Sequence, residues 1–280
     1  MTRYLITGAD GMLGTELQSV LAGRDVRALG RAALDITDAD AVSAAVRDVD
    51  VVVNAAAYTA VDRAEEHETE AYAVNATGPG NLAAAAAAHG ARLVHVSTDY
   101  VFAGDAAAPY PEDAPITPVN AYGRTKAAGE RLVAERHPAP HIVRTAWLYG
   151  AHGPNFVSTM LRLAGERKTV SVVTDQLGQP TWARDLARAI VSLLDAEAPA
   201  GVYHGTSSGE TSWYGLAREA YALAGLDPDR VLPTTADAFP RPAPRPAYSV
   251  LGHGAWARAG LPAIRDWRDG LREAVPELLP

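Results

Sequence analysis

The chain has 280 residues, 48% hydrophobic and 21% charged, with a formal net charge of −8 and no cysteine. Such a chain can bury a full core as one large domain or two unequal ones, and its acidic balance argues against nonspecific nucleic-acid binding, which needs clustered positive charge. The missing thiols exclude disulfides and thiolate metal sites and fit a reducing, cytoplasmic setting, while no apolar run approaches the ~20 residues that span a bilayer.

Met1–Gly8 leads straight into strand-like residues and glycines, so no signal peptide is expected. Arg3–Thr7 reads as a short apolar strand and Met12–Ala22 as a helix. Asp25–Leu29 is a second strand, Asp38–Val46 a helix, and Asp50–Asn54 a buried strand carrying Val51, Val52 and Val53. Glu65–His89 is long, alanine-rich and helix-favouring, with a break expected near Gly78-Pro79-Gly80. A strand at Arg92–Ser97 precedes a Pro- and Gly-rich loop, a helix at Ala121–Arg136 and a strand at His141–Thr145. Beyond Gly150 the pattern loosens. Helices are expected at Asn155–Gly165 and Arg184–Leu194, a short strand at Thr169–Val173, and a late strand of the main sheet at Gly201–Gly205. Pro233–Pro246 reads as a fixed, proline-rich loop. Strands alternating with helices predict a doubly wound α/β fold, a parallel sheet of Rossmann type covered on both faces, with a smaller lobe that is discontinuous in sequence.

Gly8-Ala9-Asp10-Gly11-Met12-Leu13-Gly14 lies between a predicted strand and a predicted helix, the context of a dinucleotide loop. Glycines permit the tight turn and close backbone approach, and the helix N-terminus offers free N–H groups and a positive dipole to a pyrophosphate. The spacing is G-x-x-G-x-x-G rather than G-x-G-x-x-G; a turn that merely joins strand to helix is the plainer alternative. NAD enzymes place Asp or Glu at the end of the second strand to take the ribose 2′-OH. Here that strand ends Leu29-Gly30-Arg31 with no acid at its tip, and Arg31 is placed to fork onto a 2′-phosphate. NADPH is therefore the expected cofactor, with NADH left open, and Asp35 and Ile36 flank the adenine; a solvated surface Arg31 is the competing reading. Residues 1–150 form the expected dinucleotide-binding domain, with returning segments about 184–206, and 151–183 with 207–280 form the expected substrate-binding lobe.

Tyr122 and Lys126 stand four apart at the start of a helix and share one face. An ammonium beside a phenol favours the phenolate, lowering a pKa otherwise near 10, and can also donate to a nicotinamide ribose. Lys126 and Lys168 are the only lysines in a chain that otherwise uses arginine. Coding bias explains the arginines; the need for a compact ammonium explains why Lys126 remains. Ser97-Thr98-Asp99-Tyr100 arrives at the C-terminal end of a strand, where open α/β sheets place their ligands, so Thr98 can hydrogen-bond a reacting oxygen. A lone Y-x-x-x-K is common. Preceded by the glycine loop and a strand-end threonine, it points to a nicotinamide-dependent oxidoreductase. Other groups take bland readings: the histidines are scattered without metal-ligand spacing, Asp62, Glu65, Glu66, Glu68 and Glu70 form a solvated helix start, and Trp182, Trp213, Trp256 and Trp267 are packing residues.

These residues resemble the extended short-chain dehydrogenase/reductase superfamily. Asn54–Asp62, Ser97–Phe102, Arg144–Trp147, Asp175–Thr181 and Arg241–Pro246, in that order across nearly the whole chain, resemble the dTDP-4-dehydrorhamnose reductases. The resemblance implies NAD(P)H-dependent reduction of the 4-keto group of dTDP-4-dehydrorhamnose to dTDP-L-rhamnose, with Thr98, Tyr122 and Lys126 as the catalytic set. It implies that Ala55, Ala56 and Ala57 pass along the cofactor, that Val61, Tyr100 and Trp147 line the sugar site, and that Asn155 adds a polar contact. Some members of that family are dimers bridged by magnesium through glutamates. Glu16 stands at one such position but Arg184 at its partner's, so no metal site is expected; a homodimer stays open, as does the exact sugar. Two alternatives remain. A nucleotide-sugar dehydratase typically follows Thr98-Asp99 with a glutamate, where this chain has Tyr100, and dehydratases and epimerases on this scaffold recycle a tightly held NAD. A noncatalytic NADP-binding regulatory subunit would keep the fold without using the Thr98/Tyr122/Lys126 set.

Overall fold

The computed structural model describes residues 1–279. In chain order it forms β1 (Arg3–Thr7), α1 (Met12–Val20), β2 (Asp25–Leu29), α2 (Ala39–Val46), β3 (Val51–Asn54), α3 (Val61–Ala64), α4 (Glu68–Tyr72), α5 (Gly78–His89), β4 (Arg92–Thr98), α6 (Ala121–Arg136) and β5 (His141–Thr145). There follow α7 (Phe156–Glu166), α8 (Ala183–Asp195), α9 (Trp213–Leu223), α10 (Gly254–Arg258) and α11 (Trp267–Leu278), among short strands. Six parallel strands stand in the order β2, β1, β3, β4, β5 and Gly201–His204. The winding reverses at β1, so the crevice beyond the carboxyl ends of β1 and β3 is where this doubly wound, Rossmann-like architecture holds a ligand.

Strict alternation along the strands feeds two cores. Tyr4, Ile6, Val51, Val53, Val94 and Val143 face α1 and α8, packing on Leu13, Leu17, Leu186 and Ile190. Leu5, Val52, Leu93 and Ile142 face the other way, onto Val42 and Val46 of α2, Leu82 and Ala86 of α5, and Val133 of α6. Both faces being covered, the strands read as unbroken apolar runs. Each fully buried Val, Leu or Ile contributes roughly 1.5–3 kcal/mol.

The break expected near Gly78-Pro79-Gly80 is a change of helix type, with the chain staying helical through these three residues. Pro79 sits in the first turn of α5, which Thr77 enters already in helical geometry. The irregularity falls just before it, as a π-helical turn at Ala73–Thr77 that carries α4 into α5. Gly129 of α6 packs against that turn; a side chain there would run into the Asn75 carbonyl.

A second pair of clusters lies on α7, α9 and α11, with Val157, Leu161, Leu216, Leu271 and Val275 at its centre and the parallel strands Val170–Val173 and Val231–Thr234 beside it. The chain after residue 207 is divided between this core and the sheet. Trp256 of α10 packs on Tyr203 at 5.5 Å between ring centroids and donates to the His204 carbonyl at 2.9 Å. Among the described residues, no helix is long and apolar enough to cross a membrane.

Candidate active site

β1 delivers Gly8 at φ +70°, where a side chain would sit 2.5 Å from Ala56 N. Gly14, one turn into α1, closes on the Gly8 carbonyl with no room for a Cβ. Gly11 caps α1 without a side-chain hydrogen bond, leaving the helix N-terminus open to an anion. Beneath the loop, Thr7 Oγ1 donates to Asn54 Oδ1 at 2.7 Å, Ala56 N donates to the same oxygen at 3.1 Å, and Asn54 Nδ2 meets His95 Nδ1 at 3.0 Å. Burial, with Lys126 nearby, holds His95 well below the usual histidine range, so a neutral ring completes this chain across β1, β3 and β4. That is a structural role, in keeping with the bland reading of the histidines.

A cleft of about 620 Å³ runs over these strand ends, within the range of ligand pockets. Gly8, Asp10, Gly11, Met12, Leu13, Arg31, Asp35, Ile36, Ala55, Ala56, Ala57, Tyr122 and Lys126 all line it. Gly14 lies beneath, as a packing glycine. Leu34, Tyr58, Ser97, Thr145 and His152 line it too and were not foreseen. Ser97 and Thr145 carried a signal, since each lies at the carboxyl end of a strand.

The rim at β2 corrects one expectation. Gly30 has no space for a side chain because the Asp10 carboxylate lies against it. An acid therefore does stand at the tip of β2, supplied by the glycine loop instead of the strand. Arg31, exposed, shares the rim, and Asp35 is held below its usual pKa by the Thr37 N–H and hydroxyl, with Arg31 adding to it. An acceptor for a 2′-OH and a cation for a 2′-phosphate thus sit side by side, so the residues fit either dinucleotide.

Asn120 caps α6 by accepting from Gly123 N at 2.8 Å. Gly123 has to be glycine because the Tyr100 carbonyl occupies the place of its side chain. That contact sets Tyr122 edge-on to Tyr100, at 5.6 Å between ring centroids. Thr98 ends β4, donates to Asp99 Oδ1 at 2.9 Å and accepts from Tyr100 N at 3.3 Å. Burial pushes Asp99 up to about 6, against hydrogen bonds from Ser249 and Thr98. Lys126 Nζ donates to the Val96 carbonyl at 2.6 Å, and burial lowers its pKa to about 8, opposed by Glu130.

Tyr122 departs from the phenolate expected next to Lys126. Desolvation pushes it up to about 12; Thr98 pulls it down and Asp99 pushes it further up, while one N–H of the Lys126 ammonium is held by the Val96 carbonyl. The half-buried ring is held as a neutral phenol, which is the form that can give a proton.

The residues implied for the sugar are more scattered. Val61, Tyr100, Trp147 and Asn155 lie off the cleft lining, as does Thr98 of the catalytic set, although Tyr100 touches the Tyr122 ring. Trp147, at φ +47°, stacks on Trp213 with centroids 3.6 Å apart and covers Gly178. Asn155 is the N-cap of α7: Oδ1 accepts from Ser158 N at 3.0 Å and Nδ2 donates to the Gly150 carbonyl at 2.8 Å. Its amide is committed to the fold, which takes away the polar contact expected of it. Nor is the acidic stretch simply solvated, since Glu65 accepts from Ala121 N at 2.8 Å. Arg184 pairs with buried Glu16 at 2.9 Å and with Glu277 at 2.7 Å.

A family profile described as RmlD substrate binding domain matches residues 2–279. The chain is 54% identical to the dTDP-4-dehydrorhamnose reductase of Streptomyces griseus, over 99% of this chain and 94% of that protein. It is 51% identical to a probable dTDP-4,6-dihydroxy-2-methyloxan-3-one 4-ketoreductase of Streptomyces antibioticus, over 99% and 96%. Its structure is similar to that of the dTDP-4-dehydrorhamnose reductase of Bacillus anthracis in complex with NADP. The TM-score is 0.95 at 40% identity, covering 99% of this chain and 100% of that one.

Proposed function

The chain belongs to the dTDP-4-dehydrorhamnose reductase family, and we propose that it uses NADPH to reduce the 4-keto group of a dTDP-4-keto-6-deoxy-L-hexose, converting dTDP-4-dehydrorhamnose to dTDP-L-rhamnose. The observation that carries this reading is the position of Tyr122. Its ring closes the cofactor cleft beside Lys126 and, on its other side, meets Tyr100 at the end of β4.

A reduced nicotinamide supplies the hydride when bound. Tyr122 then holds at its Oη the proton that the sugar O4 takes up, and Thr98, turning its hydroxyl from Asp99 Oδ1, would donate to that oxygen as charge develops on it. Lys126, fixed by the Val96 carbonyl, sets an ammonium at the nicotinamide end and keeps Tyr122 oriented. Val61, Tyr100 and Trp147 would border the sugar. Residues 1–150 with 184–206 would hold the dinucleotide and the remaining chain the sugar, in a cytoplasmic setting where reduced dinucleotide is regenerated.

The test offers purified protein dTDP-4-dehydrorhamnose and dTDP-4-keto-6-deoxy-D-glucose, each with NADPH or NADH, and identifies products by NMR. Oxidation of NADPH with formation of dTDP-L-rhamnose is the expected outcome. Turnover confined to another ketosugar would support a second reading, favoured by the different sugar named for the relative at 51% identity. No oxidation with any dTDP-4-keto sugar would leave the regulatory-subunit alternative standing.

A further inference from the structure

Pro240–Pro246 reads Pro-Arg-Pro-Ala-Pro-Arg-Pro and has no part in the chemistry above. Alternating prolines fix φ and remove N–H donors, which pre-sets an extended strap. The strap is fastened at three points. Ala243 N donates to Asp62 Oδ1 at 3.3 Å, Asn120 Nδ2 donates to the Pro244 carbonyl at 2.9 Å, and Pro246 fills the space a side chain at Gly104 would need. Asn120 is the cap of the helix that carries Tyr122, and Asp62 follows Val61 in α3. The strap is therefore tied to both walls of the sugar side of the site.

Its two arginines converge on one carboxylate. Arg245 Nη2 lies 2.9 Å from Asp62 Oδ2, and Arg241 Nη1 lies 3.9 Å from the same oxygen, with Arg241 62% exposed. Glu65, the next acid along α3, is taken up by Ala121 N and by Arg124 at 3.9 Å. Two guanidiniums thus face a single carboxylate, which leaves positive charge uncompensated. Arg245 and Asp62 are both close enough to act on the Tyr100 phenol, whose ring is the neighbour of Tyr122. Tyr122 lines the cofactor cleft and Tyr100 does not, so the step from Tyr122 to Tyr100 leads out of that cleft to the ring on which Arg245 and Asp62 act.

A nucleotide sugar bears its diphosphate on C1, across the ring from C4. With O4 at Tyr122, the phosphates have to leave on the side away from the cofactor. We propose that Arg241 and Arg245 clamp the diphosphate of the nucleotide sugar, Asp62 holding the Arg245 fork in readiness until phosphate oxygens replace it. The inference rests on the nucleotide-sugar reading above and deepens it. Guanidinium forks match phosphate oxygens in pairs, and the proline backbone spares the ordering cost that a flexible loop would add on binding.

Calorimetric titration of dTDP, thymidine and inorganic pyrophosphate into wild type, Arg241→Ala and Arg245→Ala tests the clamp. Each substitution is expected to weaken dTDP by about tenfold or more, the worth of a charge-assisted hydrogen bond, with thymidine and NADPH affinities unchanged. Unchanged dTDP affinity in both variants overturns the clamp. Should Arg245→Ala also lose NADPH, the strap has come loose, and Arg241→Ala, whose side chain is exposed, decides the question alone. Pyrophosphate binding as tightly as dTDP would assign the strap to free phosphates and overturn the proposal. A wild type that binds no dTDP at all would instead sink the nucleotide-sugar reading itself.

Discussion

Lys126→Met should make the protein more stable and nearly inactive. The side chain is 2% exposed, and burial lowers its pKa from 10.5 to about 8. At about 1.4 kcal/mol per pKa unit, keeping the ammonium charged in the fold costs roughly 3 kcal/mol at neutral pH. Methionine keeps most of the apolar stem. It gives up the charge-assisted bond to the Val96 carbonyl, worth about 1.5 kcal/mol or more. The net gain is roughly 1 kcal/mol, a rise of a few degrees in Tm. The sign can be checked against pH. Between about 8 and 10.5 the folded chain binds fewer protons than the unfolded one, so wild-type stability rises with pH there. The advantage of Lys126→Met is therefore full below pH 8 and shrinks as pH climbs toward 10.5. Wild-type turnover should move the other way, falling as the ammonium is lost above pH 8. Calorimetric melts at pH 7 and 9.5, alongside NADPH-oxidation assays, measure both. A lower Tm for Lys126→Met at pH 7, or turnover within threefold of wild type, would refute the reasoning.

Tyr122→Phe keeps the ring against Tyr100 and should bind NADPH normally by fluorescence titration while kcat drops ~10²-fold or more; a kcat close to wild type removes Tyr122 from the proton-transfer step. At the adenosine rim, Arg31→Ala should raise the KM for NADPH but not for NADH, and Asp10→Asn should shift preference further toward NADPH by removing a carboxylate from the 2′ position; ratios of kcat/KM for the two reductants that do not move would contradict both assignments. Gly8→Ala forces a Cβ onto a left-handed backbone and against Ala56 N, costing about 1–2 kcal/mol for the conformation alone. Thermal melts should show the loss, and dinucleotide affinity should fall with it.

Local signals made the sheet and its two faces legible, because Val51-Val52-Val53 and the neighbouring strands are buried on both sides and need no partner to be recognised. The glycine loop and the Tyr122/Lys126 pair were legible for the same reason: each is a few consecutive residues on one element. What escaped depends on distance or burial. Asp10 reaches the tip of β2 from another segment, so reading β2 alone could not find an acid there. Desolvation sets the Tyr122 pKa, and the depth of a ring is not written in its spacing from Lys126. The strap meets Asp62 from the far end of the chain. Asn155, by contrast, was misassigned despite a local signal: an asparagine directly before a helix is a common cap.

The π-helical turn at Ala73–Thr77 makes this scaffold unusually intolerant of a one-residue deletion. Asn75, within the turn, holds the Tyr58 backbone through its side chain at 2.8 and 3.1 Å and Thr125 of α6 at 3.1 Å. Removing one residue would close the wide turn into regular α-helix and take away the place from which Asn75 reaches both partners. The extra residue lets one helix keep its course while turning the Asn75 amide toward the cleft wall at Tyr58 and toward α6. Length changes should be accepted in the surface turns around Gly23 or Gly225 and rejected here, where Val74 of the same turn also lines the cofactor cleft.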